Sequence, residues 1–167
     1  MTIHDTHPFA DPTPDPARRL RGRLGGAVSL WTAGTPEARA GLTVSSLLLA
    51  NGEPPRLIAL LDPDSDLADV LHGVDRAVVH LLSWHHRDLA EAFAGLAPAP
   101  GGVFRLATFE SSPYGPVLAD AAVRAFVTVE SSVEVGWSLQ VTCVVDDLVV
   151  GDDEAPLRHY RGRYHSE

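Results

Sequence analysis

In the stretch AGLTVSSLLLANGEPPRL, residues 40–57, the hydroxyls of Thr43, Ser45 and Ser46 interrupt an otherwise apolar run. Leu42, Val44 and the following leucines have the character of a buried strand. A hydroxyl buried there without a partner costs about 1–3 kcal/mol, so a knot of them needs partners. Main-chain groups at a bulge would serve. So would the carbonyls, ring nitrogens and hydroxyls of a bound ligand, and the residues alone leave both open. Downstream, Ser65 in DPDSDL stands at the start of a helix whose free N–H groups could hold a phosphate. Its neighbours Asp64 and Asp66 can cap that helix themselves and repel an anion. Read alone, the segment is a cap without a ligand.

The other reactive side chains point to little. His85 and His86 are adjacent, so on a helix they diverge by about 100° and do not easily share one ion. His80 falls in a strand-like run, and no H-x-E or H-E-x-x-H pattern exists, so no metal is assigned. There is no G-x-S-x-G elbow for a hydrolase. The pairs Asp146-Asp147 and Asp152-Asp153 read as solvated loop residues. Cys143 is the single cysteine, which excludes an internal disulfide and a cysteine zinc cluster, and in LQVTCVVDD it reads as a small buried residue. All the basic residues are arginine, which excludes lysine Schiff-base chemistry and a Walker phosphate loop. The net charge of −9 argues against a nucleic-acid surface. No apolar run approaches the ~20 residues of a membrane helix. The N-terminus MTIHDTHPFADPTPDP lacks the basic and apolar regions of a signal peptide, so a cytoplasmic protein is expected.

The elements that would carry these residues follow from pattern. Residues 1–15 are rich in Pro and Asp and read as a flexible segment, and residues 16–167 as a single domain. Asp15 caps and Pro16 opens a short helix, PARRLRGRL, that ends at Gly25-Gly26. AVSLWTA is a strand, TPEAR a turn, and a longer strand starts near Ala40. RLIALLD is a third strand. DSDLADVLHG and WHHRDLAEAFAG have helical spacing on either side of the strand RAVVHLLS. VFRLATF, AVRAFVTVES and GWSLQVTCVVDDLVVG read as strands separated by turn signals such as SSPYGP. Six or seven strands with three short helices predict a mainly antiparallel barrel. No G-x-G-x-x-G follows any strand, so a dinucleotide would not be held by a Rossmann turn.

Taken in order, RRLRGRLGGAVSLWTA, AGLTVSSLLLANGEPPRLIALLDPDSDL, VVHLLSWHHRDLAEAFAG, GPVLADAAVRAFVTVES and APLRHYRGRY resemble the flavin reductase-like family of FMN-binding split β-barrels. The resemblance spans roughly residues 17 to 165. It implies a six-stranded antiparallel Greek-key split barrel, a homodimer, and FMN or FAD between the subunits. By the same resemblance Thr43, Val44, Ser45 and Ser46 lie against the flavin, Asn51 replaces a serine before the diproline turn, and Ser65, flanked by Asp64, stands on the phosphate side. The implied activity is NADH- or NADPH-dependent flavin reduction, with a partner monooxygenase as one destination of the electrons. No catalytic triad is needed, because the flavin carries the chemistry. Where the family often reads GDH, this chain has Gly136-Trp137-Ser138, with Ser138 at the position of the histidine associated with nicotinamide, and Thr142 in place of a later glycine. That departure keeps a second expectation alive: a flavin-binding barrel without reductase activity.

Overall fold

The structure is a computed structural model, and it describes residues 15–152 and 155–166. The expected flexible segment lies, all but Asp15, outside the described residues. The Asp15 side chain accepts from the Ala17 N–H and caps α1 (Pro16–Leu24), which buries no residue. After the short β1 (Gly26–Ala27), a hairpin forms from β2 (Ser29–Thr35) and β3 (Ala38–Val44). β4 (Leu47–Ala50) and β5 (Arg56–Leu61) form the next hairpin. α2 (Asp66–Gly73), β6 (Arg76–Leu81) and α3 (Arg87–Phe93) follow, then two-residue strands β7 (Phe109–Glu110) and β8 (Val117–Leu118). The long hairpin of β9 (Val123–Val135) and β10 (Ser138–Val150) precedes a small one of β11 (Arg158–Tyr160) and β12 (Arg163–His165). No described helix is long and apolar enough to cross a membrane.

One antiparallel sheet runs in the order β3-β2-β6-β9-β10-β5-β4. Its two edge strands, β3 and β4, are consecutive in the chain and separated only by Ser45 and Ser46. Two residues cannot span a flat seven-stranded sheet, since neighbouring strands lie ~4.8 Å apart. The sheet therefore curls until its edges meet, and the barrel closes at Ser45-Ser46, where the Leu60 N–H donates to Ser46 O at 3.0 Å. The expected six strands become seven because the run from Ala40 breaks at this seam; β3 and β4 are the two arms of one bent strand.

Alternation along the strands builds two cores. Inside the barrel, Trp31, Val44, Leu57, Ala59, Leu61, Val79, Val127, Val141 and Cys143 pack with Leu67 and Leu71 of α2. Outside it, α3 lays Leu89, Ala90 and Phe93 on Leu30, Leu82, Leu118 and Leu157. The segment VFRLATF, expected as a strand, is instead a 3-10 turn (Val103–Arg105) followed by β7. Gly101 and Gly102, both at positive φ, redirect the chain. Phe104 and Phe109 then close edge-on around Phe93, with ring centroids 5.2 and 6.0 Å away. Their apolar character serves the α3 core and not a sheet face.

Buried His80 joins the two layers. Its Nδ1 faces Leu30 O at 2.9 Å and its Nε2 accepts from the Leu118 N–H at 3.0 Å, so the ring is a neutral Nδ1–H tautomer. Burial pushes it down to about 4.

Candidate functional site

The hydroxyls of residues 43–46 divide into engaged and open groups. Thr43 Oγ1 donates to Ala90 O of α3 at 2.6 Å, and Ser46 Oγ donates to Leu60 O at 2.8 Å. Main-chain carbonyls therefore satisfy these two, and no ligand is required to explain them. The Val44 side chain is buried in the barrel, and its carbonyl accepts from Ser29 Oγ at 2.6 Å. Ser45 differs. It is half-buried, sits at the seam, and its hydroxyl makes no hydrogen bond among the described residues. β3 is also an edge strand, and an edge leaves alternate main-chain N–H and C=O groups without ladder partners. Ser45 and the β3 edge can thus offer donors and acceptors to a flat polar ligand at the mouth of the seam.

Register tells which other residues share that end of the barrel. Leu47 pairs with Ala59 and Leu61 with Leu139, so the loop after β5 and the start of β10 lie toward Ser45-Ser46. Ser65, Asp64 and Ser138 fall at this end. Asn51 does not: it follows Ala50, which pairs with Arg56 at the opposite end of β5. The four residues of β4 separate it from Ser46, roughly 15 Å. Ser65 is the N-cap of α2; its hydroxyl accepts from the Ala68 N–H at 3.2 Å and donates to Asp62 O at 2.7 Å. Both functions of the hydroxyl are already in use. Asp62, Asp64, Asp66 and Asp69 are all exposed around it. Trp137, beside Ser138, occupies the β9–β10 turn and is 96% exposed.

One concavity among the described residues lies elsewhere. A groove of about 480 Å³ is lined by Thr35, Pro36, Asp75, Arg76, Tyr114 and Thr128, among others, and includes no residue expected from the sequence to bind a cofactor.

The paired histidines behave differently from the expectation of divergence. A 3-10 turn (Trp84–His86) precedes α3 and brings their ring centroids to 3.9 Å. Both Nε2 atoms meet Asp120, at 3.1 Å from His85 and 3.0 Å from His86. The three could surround an ion. However, His86 Nδ1 already accepts from the Ser83 N–H at 3.0 Å, so its Nε2 carries the proton and donates to Asp120. A metal on Nε2 would have to break one of these bonds. The arrangement ties the loop after β8 to the start of α3. Burial alone would raise the Asp120 carboxyl, but the hydrogen bonds from His86 and His85 hold it below its ordinary value.

The flavin reductase like domain matches residues 21–167 of the sequence. The chain belongs to that family. It is 31% identical over 150 residues to the FMN reductase (NADH) RutF of Ancylobacter novellus, covering 89% of this chain and 82% of that one. It is 24% identical over 157 residues to the reductase component of 4-hydroxyphenylacetate 3-monooxygenase from Pseudomonas aeruginosa, covering 93% and 92%. Among solved structures, the NADH:FAD oxidoreductase SgcE6 of Streptomyces globisporus has a similar fold, with a TM-score of 0.81, 19% identity, and coverage of 92% and 95%. The mainly β barrel expected from the sequence is the fold these proteins share.

Sequence reasoning singled out the seam but missed what the C-terminal tail does. APLRHYRGRY forms β11 and β12, and β11 pairs with β1, Gly26 opposite His159. The signal was available in the glycine between two arginines, a hairpin turn at Arg161-Gly162, both at positive φ.

Proposed function

We propose that the chain, acting as one domain over residues 16–167, reduces FMN or FAD at the expense of NADH or NADPH. The observation that carries this is the seam: a family member's barrel closes at Ser45, whose hydroxyl is open beside an edge strand. When bound, the flavin accepts a hydride from the nicotinamide and passes electrons onward. The residues of this chain bind and orient. In this reading Ser45 Oγ and the main chain of Thr43 to Ser46 hydrogen-bond the flavin's polar edge, while Val44 and the ladder behind it keep that edge fixed. Such rigid placement is what makes hydride transfer geometry reproducible.

The site is open in one chain, and a second copy is proposed to cover it. By register, Leu48, Ile58, Leu60, Val133 and Val135 project to one outer face of the sheet, and Ser138 and Gln140 lie among them. Leu48 is 71% exposed and Val133 54%. No described helix covers this face, whereas α3 covers the corresponding face of β2. Contiguous exposed apolar surface of this kind marks an interface. A homodimer through this face would enclose Ser138 and bring nicotinamide and flavin under one cover. Reduced flavin would then be delivered to a partner monooxygenase.

The test is NAD(P)H oxidation followed by nicotinamide absorbance with added FMN or FAD, together with sedimentation velocity on the same sample. FMN-dependent oxidation by a dimer supports the proposal. The Trp137-Ser138 dipeptide favours the second reading, a flavin-holding barrel without reductase activity. Flavin fluorescence quenched on binding, with no oxidation of either nicotinamide, would select it.

A further inference from the structure

The chain's charge is sorted in a way its net value of −9 hides. Residues 16–24 and 158–165 contain Arg18, Arg19, Arg21, Arg23, Arg158, Arg161 and Arg163, together with His159 and His165, and no acid. These two pieces come from opposite ends of the chain, yet the fold joins them. β11 pairs with β1, and the Arg161 N–H donates to Gly22 O of α1 at 2.8 Å. All seven arginines are exposed. Among the described residues, Arg19, Arg21, Arg23, Arg158, Arg161 and Arg163 form no ion pair. Burial, then the charges of Arg21 and His165, hold His159 below its ordinary value, which places these cations in one field. Glu91, whose charge bears on Tyr164, offsets part of this crowding, and an anion arriving at the arginines would relieve more of it.

This cationic module touches the seam. Gly26 and His159 are direct partners in the β1–β11 ladder, so their side-chain positions project to the same side. On that side a Cβ placed on Gly26 would lie 2.8 Å from Ser45 O. His159 therefore stands on the side of its strand that Gly26 turns to Ser45, its ring 5.6 Å from that of Tyr164, and the Arg161–Gly22 bond holds α1, with Arg21, against the same hairpin. The family's other phosphate candidate faces the opposite field: the Ser65 hydroxyl is doubly engaged, and exposed Asp62, Asp64, Asp66 and Asp69 surround it.

We propose that Arg21 and His159 bind the phosphate group of the flavin nucleotide, within the positive field of the surrounding arginines, and that the α2 cap at Ser65 does not. The inference rests on the reading that the flavin ring docks at the Ser45 seam. It deepens that reading by assigning the anion end of the ligand to the two termini of the chain. Arginine suits the task, because its planar fork matches phosphate oxygens bidentately.

The experiment compares riboflavin, which lacks the phosphate, with FMN, by fluorescence titration of the full-length protein and of Arg21→Glu, His159→Gln and Ser65→Ala. Circular dichroism checks that each variant is folded. The wild type should bind FMN more tightly than riboflavin, and added salt should erode that preference. In Arg21→Glu the preference should fall by about tenfold or more, the size of one charge-assisted hydrogen bond, with riboflavin affinity held. His159→Gln should lower it less, and Ser65→Ala should leave it in place. Loss of the preference in Ser65→Ala but not in Arg21→Glu would overturn the proposal and return the phosphate to the α2 cap. An equal loss for both ligands in Arg21→Glu would also overturn it, because the module would then position the ring. A wild type that binds neither ligand would remove the seam reading itself, a result distinct from either.

Discussion

Acidification tests how the fold holds its second core together, through His80. The ring is fully buried and donates from Nδ1 to Leu30 O while Nε2 accepts from the Leu118 N–H. Protonation would set a second N–H against that of Leu118, so burial drives the group from 6.5 to about 4. Between these values the unfolded chain binds the proton and the folded one does not. Stability is therefore complete above 6.5 and is lost as the pH falls toward 4. At 1.36 kcal/mol per unit the whole window is worth about 3 kcal/mol, and about 2 kcal/mol of it disappears between pH ~7 and pH ~5. Urea unfolding at a series of pH values reads this directly. His159, also held below its ordinary value, adds a change of the same sign, whereas Asp120 contributes only below its ordinary 3.8. The comparison is therefore with His80→Gln, which cannot titrate. If the variant lost as much stability as the wild type over this window, or if the His80 ring were seen by NMR to titrate near 6.5, the account of this residue would be wrong.

Ser45→Ala should weaken flavin binding with little change in melting temperature, because its hydroxyl has no protein partner among the described residues. Thr43→Val should do the reverse, costing about 1 kcal/mol of stability by removing the bond that ties β3 to Ala90 O of α3, as thermal unfolding will show. Gly41→Ala would place a Cβ 2.6 Å from Phe93 Cε1, and the resulting overpacking should cost about 1–3 kcal/mol in denaturant unfolding. Cys143, buried and pushed up to about 12, should resist thiol reagents in the native state and react only on unfolding, which a timed alkylation assay measures.

Much of the barrel was legible because its strands alternate and its helices announce themselves. Asp15 and Ser65 cap the helices their positions suggested. Three features were not legible, each for a physical reason. VFRLATF has strand-like composition, but its phenylalanines are claimed by Phe93, a partner distant in sequence. The divergence of His85 and His86 assumed an α-helix, and a 3-10 turn with Asp120 beneath it brought them together. The hydroxyls of residues 43–46 looked alike in the sequence. Only the curl of the sheet decides that Thr43 meets α3, Ser46 meets β5, and Ser45 meets neither. The family resemblance grouped Asn51 with them, and a four-residue strand carries it to the other end of β5.

The sorting of charge follows from the same curl. Acids gather at residues 62–69, where β5 leaves the barrel, and arginines at 18–23 and 158–163, in α1 and the β11–β12 hairpin. Closing the sheet at Ser45 brings the end of β5 to Ser46 and, through Gly26, β11 to Ser45. FMN is itself polarised, with a neutral ring at one end and a phosphate dianion at the other. Placed at such a seam it has one favourable direction, phosphate toward the termini, because the reverse orientation would bring like charges together at Asp64 and Asp66. Orientation by field needs no pocket in the single chain, and in the proposed dimer the ring's cover would come from the apolar face around Leu60 and Val133 of a second copy. The two contributions then separate cleanly: ionic strength acts on the direction of binding, and dimerisation acts on the enclosure of the ring.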